Sequence, residues 1–67
     1  MQIVLNGKMQ EIPIEVTRVK ELIHFLSLNK DLAIVEQNGR ILGRSEWSEM
    51  EITDNDHFEI VQFVGGG

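Results

Sequence analysis

Phe58-Glu59-Ile60-Val61-Gln62-Phe63-Val64-Gly65-Gly66-Gly67 reads as a strand that runs, with no turn between, into three glycines. Phe58 and Ile60 recur at the two-residue period of an extended segment. They therefore share a face with Gln62, while Glu59, Val61 and Phe63 share the opposite one. Glycine loses more backbone entropy on ordering than any other residue and has no side chain to bury, so the three contribute nothing to a core. A frayed end is the plainer reading of such a run. The functional reading is a slender end that threads a channel too narrow for side chains and delivers its carboxylate to another protein's active site.

Upstream, the turn chemistry sets the order of elements. Ile3 and Leu5 lead into Asn6-Gly7, the dipeptide suited to the positive φ angles of a tight hairpin, and Ile12, Ile14 and Val16 alternate with Glu11, Pro13 and Glu15 in a return strand. Pro13 cannot donate to a ladder, which places that strand at a sheet edge. Thr17 stands at an N-cap position, with Lys20 where a capping-box glutamate would reach back, and Val19, Leu22, Ile23 and Leu26 form one helical stripe. The helix is expected to end near Asn29 in a left-handed conformation. Leu32-Ala33-Ile34-Val35 is a third strand, and Asn38-Gly39 turns it into a short fourth, Arg40-Ile41-Leu42. Ser45 is expected to cap a turn through Glu46-Trp47-Ser48, and Asp54-Asn55-Asp56 forms a polar turn into the last strand. The order predicts an α+β unit: a mixed, mostly antiparallel sheet of four to five strands packed on one helix, as in ubiquitin-like β-grasp domains. Residues 1–64 make the domain, and 65–67 a flexible glycine tail.

Composition narrows the function. The 67 residues carry a net charge of −5 and no cysteine, and 42% are hydrophobic against 25% charged. A domain this small buries only about 60% of the surface its unfolded chain exposes and must fold on a compact core alone. No stretch approaches a membrane span and no signal segment is visible, so the expected location is the cytoplasm. After Arg44 every charged residue is acidic. That argues against nucleic acid as a partner and for a basic protein surface.

Chemistry inside the domain is sparse. His24 falls opposite the helix stripe, His57 has no companion ligands, and no metal site is expected. Asp54 and Asp56 read as turn formers, and no serine has a base beside it in a recognisable motif. Trp47 and Phe58 read as core. Val61 and Phe63, with Val64 and with Val4 on a paired strand, form a candidate apolar partner-binding face; alternatively Phe63 folds back over the domain edge.

The whole chain resembles the ThiS-type sulfur carriers of thiamine biosynthesis. The resemblance rests on length, on the Asn6-Gly7 hairpin, on Val35-Glu36-Gln37-Asn38-Gly39-Arg40-Ile41-Leu42-Gly43-Arg44-Ser45-Glu46-Trp47, and on the ending Glu59 to Gly67. Gly43 stands where the family often has proline. The resemblance implies a carrier with no catalytic residues of its own and no bound cofactor. A ThiF-like enzyme using ATP and magnesium adenylates Gly67, a cysteine desulfurase supplies sulfur as a persulfide, and the resulting thiocarboxylate donates it to a ThiG-like thiazole synthase. Gly65 and Gly66 provide the slenderness for threading. Related alternatives are a sulfur carrier for molybdopterin synthesis, a ubiquitin-like protein modifier, and an interaction domain whose glycines are incidental.

Overall fold

The computed structural model describes residues 1–63, so Val64, Gly65, Gly66 and Gly67 lie outside the described residues. Five strands form one sheet: β1 (Gln2–Leu5), β2 (Lys8–Glu11), β3 (Ala33–Gln37), β4 (Arg40–Leu42) and β5 (His57–Gln62), with the helix α1 (Val19–Phe25) between β2 and β3. The strand order is β2-β1-β5-β3-β4, so the last strand occupies the middle of the sheet. Only the β1–β5 pairing is parallel; β1–β2, β3–β4 and β3–β5 are antiparallel. The two hairpins turn on Asn6-Gly7 and Asn38-Gly39. Their φ values of 50° and 82°, and 49° and 86°, are those that an Asn-Gly pair adopts at least steric cost.

One face of the sheet and one face of the helix enclose a single core. Ile3, Val35, Phe58 and Ile60 point from the strands toward Val19, Leu22 and Ile23, and Ile12, Val16, Leu42, Trp47 and Ile52 fill the edges. Trp47 and Phe58 are core residues, as expected from the sequence. Leu26 is only partly buried at the end of the helical stripe, while His24 is exposed on its far side.

Four local expectations change. β2 stops at Glu11, because Pro13 accepts a hydrogen bond from Val16 N at 3.0 Å and bends the chain out of the sheet. Ile12 and Val16 still reach the core, but Ile14 is 76% exposed, and the anticipated alternation ends there. The helix N-cap is Arg18, one residue later than Thr17. Glu21, at the third helical position from that cap, accepts from Arg18 N, Thr17 N and Thr17 Oγ1, each at 3.0 Å. The capping glutamate is therefore present, in a register moved by one. The left-handed residue after the helix is Ser27 (φ 58°), not Asn29, which instead turns the loop by accepting Asp31 N on its own side chain. Finally, the 3₁₀ turn Arg44–Glu46 starts from Gly43 instead of Ser45, and Glu46 Oε2 accepts Gly43 N at 2.7 Å. Gly43 has φ −69° and ψ 147°, angles that proline also adopts, so the residue common in the family fits this backbone. What glycine adds is the N–H that Glu46 uses.

Candidate functional site

β5 ends where the glycine run is about to begin, and several contacts fix that exit. Phe63 N donates to Leu32 O at 3.0 Å, extending the antiparallel pairing with the β3 side by one bond. Gln62 follows Phe58 and Ile60 on the inward face but is exposed at the sheet end, where its Oε1 accepts Asn29 N at 2.7 Å and ties the strand to the loop after the helix. On the other side, β1 leaves the sheet at Leu5, and the side chain of Asn6 continues the ladder in its place. Asn6 Oδ1 accepts Ile60 N at 2.8 Å and its Nδ2 donates to Ile60 O at 3.1 Å. A side-chain amide thus imitates a backbone peptide, and the hairpin that reverses the first strand also grips the last.

The polar turn before β5 is equally tied down. Asp56 accepts from Thr53 N and Gln37 Nε2 on one oxygen and from Asn38 Nδ2 on the other, while Asp54 Oδ1 accepts Gln2 N. Asp54 and Asp56 are turn formers, with both Asp56 oxygens and Asp54 Oδ1 spent on donors.

The outward face of β5 carries Val61 and Phe63, 56% and 59% exposed. Directly opposite Val61 on β3 is Ile34, and one strand further the outward residue is Ile41, both exposed. Val4 lies elsewhere. It faces outward on β1, which pairs with β5, but its partner is His57. Four strand residues, about 13 Å, separate that position from Val61. Val4 is half-buried beside Met9 instead, so the apolar patch near the chain exit comprises Ile34, Ile41, Val61 and Phe63 without Val4. Ile34 and Ile41 carry a signal in the sequence: each sits one residue out of phase with a core residue, Val35 or Leu42. They were missed because a continuous apolar run hides which positions face out. Glu36 and Glu59 face each other across the same surface and give the patch an acidic margin.

The carboxyl of Glu21 is held below the ordinary glutamate range. The donating backbone N–H and hydroxyl of Thr17, then the N–H of Arg18, favour its charged form. It serves the helix start and lies away from the patch. Among the described residues, no cluster of three or more histidine and carboxylate groups could hold a metal ion, and no helix is long and apolar enough to cross a membrane.

A five-stranded mixed sheet in the order 2-1-5-3-4, with one helix across its inner face, defines a ubiquitin-like β-grasp domain. The ThiS family model matches residues 3–67. The chain is 38% identical over 63 residues to the sulfur carrier protein ThiS of Bacillus subtilis, covering 94% of this chain and 96% of that one. It superposes on the crystal structure of the thiamine biosynthesis protein ThiS from Geobacter metallireducens with a TM-score of 0.83, at 30% identity and with both chains fully covered. All of it also aligns, at 33% identity, with one-fifth (20%) of a thiazole synthase from Paramagnetospirillum magneticum. The chain belongs to the ThiS family of sulfur carrier proteins.

Proposed function

We propose that this chain carries sulfur for thiazole formation in thiamine biosynthesis as a thiocarboxylate on Gly67, and that the apolar end of its sheet docks the enzyme that activates it. The observation that carries the reading is continuity. The central strand β5, pinned on both sides, leads in sequence directly to Gly65-Gly66-Gly67, and the family match extends through that run.

The chemistry accounts for each part. A carboxylate resists nucleophiles, so a ThiF-like enzyme with ATP and magnesium joins the Gly67 carboxylate to the α-phosphate, and pyrophosphate leaves. A persulfide formed by a cysteine desulfurase then attacks the acyl carbon, AMP leaves, and an acyl disulfide remains. A second thiol attacks the cysteine-side sulfur of that acyl disulfide, its S–S bond breaks, and a new disulfide forms as the Gly67 thiocarboxylate leaves. That anion is the nucleophile a thiazole synthase takes up. The alignment of the whole chain with part of a thiazole synthase supports this partnership, since related sequence occurs within one polypeptide of that name.

Four extended residues from Val64 to Gly67 reach about 13 to 14 Å, enough to bring the carboxylate from a docked domain into a recessed site. Val61, Phe63, Ile34 and Ile41 supply the apolar surface for docking, and Glu36 and Glu59 favour a basic rim on the partner. Gly65 and Gly66 keep the approach narrow.

Intact mass after incubation with the activating enzyme, ATP, magnesium and a persulfide source tests the reading. A gain equal to sulfur replacing one oxygen, mapped to Gly67, is expected. Adenylation without sulfur gain, followed by isopeptide conjugates, would make the chain a protein modifier instead. Gly66→Ala is expected to slow adenylation while leaving folding unchanged; adenylation at the wild-type rate sinks the narrow-channel argument.

A further inference from the structure

The helix side of the molecule holds a feature that the carrier reading does not use. Between α1, the loop that follows it and the 3₁₀ turn lies a cavity of about 580 Å³, within the size range of small-molecule sites. Its wall gathers Lys20, Lys30 and Arg44, half of the six lysines and arginines in a chain of net charge −5. Only one carboxylate, Asp31, lines it against them.

Of the three cations outside the cavity, Lys8 makes no ion pair among the described residues. Arg18 and Arg40 are paired with Glu51 and Glu46 at 3.6 and 2.8 Å. Lys20 and Lys30 make no ion pair among the described residues. Arg44 is paired within the cavity wall: one guanidinium nitrogen donates to the carbonyl of Asp31 at 3.1 Å, another lies 3.6 Å from its carboxylate, and the side chain stays 56% exposed. Ile23 and Leu28 give the cavity an apolar wall, and Trp47 completes it. Trp47 is only 4% exposed, and its indole nitrogen, a donor with no acceptor capacity, has no hydrogen-bond partner among the described residues. Buried donors are seldom left unmatched.

Two ammonium groups without ion pairs, a positioned guanidinium, and an aromatic and aliphatic wall describe one kind of ligand. We propose that this cavity is a second binding site, separate from the sheet face, for a small organic oxyanion: a phosphate monoester or carboxylate attached to an apolar body. The charged head would sit among Lys20, Lys30 and Arg44, with the body against Trp47.

The single tryptophan gives a single indole N–H resonance, which makes the test direct. The full ¹⁵N-labelled chain is titrated with phenyl phosphate and, separately, with benzoate, at ionic strength held constant with sodium chloride. Saturable movement of the Trp47 indole signal, together with the amides of Lys20 to His24 and Ser45 to Ser48, is expected, with Ile34 and Val61 unmoved. Saturation by phenyl phosphate alone identifies a phosphate site, and saturation by both identifies a general oxyanion site. The surface double variant Lys20→Gln/Lys30→Gln should fold normally and bind about tenfold more weakly, and salt should weaken the wild-type interaction. Shifts that stay linear with both probes, that centre on the sheet face, or that the double variant leaves unchanged would overturn the site.

Discussion

The two sides of this domain meet the solvent in opposite ways. On the sheet side, Ile34, Ile41, Val61 and Phe63 stand exposed with Glu36 and Glu59 beside them, and almost nothing there is committed to the protein's own structure. On the helix side, Trp47 is buried in the core cluster that holds Ile23, with Leu28 packed against that cluster, and the carbonyls of Trp47 and Met50 accept the first helical N–H groups, Lys20 N and Val19 N, at 3.0 Å each. The helix side is closed by packing and hydrogen bonds that contribute stability, and the sheet side leaves surface free to meet partners. The signs of charge divide in the same way, acidic around the apolar patch and basic around the cavity.

The division can be broken most severely at Trp47. Trp47→Ala removes a buried indole and the wall that closes the helix N-terminus, and should cost about 3 to 5 kcal/mol in urea denaturation. A loss below about 1 kcal/mol would show that the helix side is not where stability resides. Next comes Asn6, the link between the hairpin and β5. Asn6→Ala forfeits two partly buried hydrogen bonds and a residue tolerant of positive φ, for about 2 to 3 kcal/mol. Asn6→Gly, which keeps the φ, should recover part of that loss and so isolate the hydrogen bonds.

The sheet side should respond in the reverse sense. Val61→Ser/Phe63→Ser is expected to change stability by less than about 1 kcal/mol, yet to lower kcat/KM for adenylation by about tenfold, equivalent to about 1.4 kcal/mol. A variant that melts early but is adenylated normally would reverse the assignment of the two sides. The smallest effect concerns Glu21. Because its folded-state pKa lies below the ordinary glutamate value, the stability it provides is present above the unfolded pKa and is lost as pH falls through the folded one. Glu21→Gln should therefore flatten the acid limb of the stability profile, read from thermal melts across the acid range.

Much of this architecture was legible in the sequence because the turns are chemically explicit. Asn6-Gly7, Asn38-Gly39 and Asp54-Asn55-Asp56 each mark a reversal that the backbone makes, and the helix stripe follows from a 3.6-residue period. What could not be read were relations between residues distant in the chain. The cap moved from Thr17 to Arg18 because Val19 N and Lys20 N are drawn to carbonyls some thirty residues away, which no local pattern records. Ile14 looked like core because alternation was extrapolated past Pro13. Val4 looked like a neighbour of Val61 because pairing was anticipated without its parallel register, and register alone separates the two. Likewise, Lys20, Lys30 and Arg44 are scattered in sequence, and only the fold collects them.

The central position of β5 has a mechanical consequence. A pull on the chain beyond Phe63 acts along the strand axis, against β1 on one side and β3 on the other. Those hydrogen bonds lie across the direction of force, so they bear the load in shear and together, whereas an edge strand peeled sideways would release them one at a time. A partner that draws the end of this chain into a tight channel can hold it under tension without unravelling the domain that delivers it.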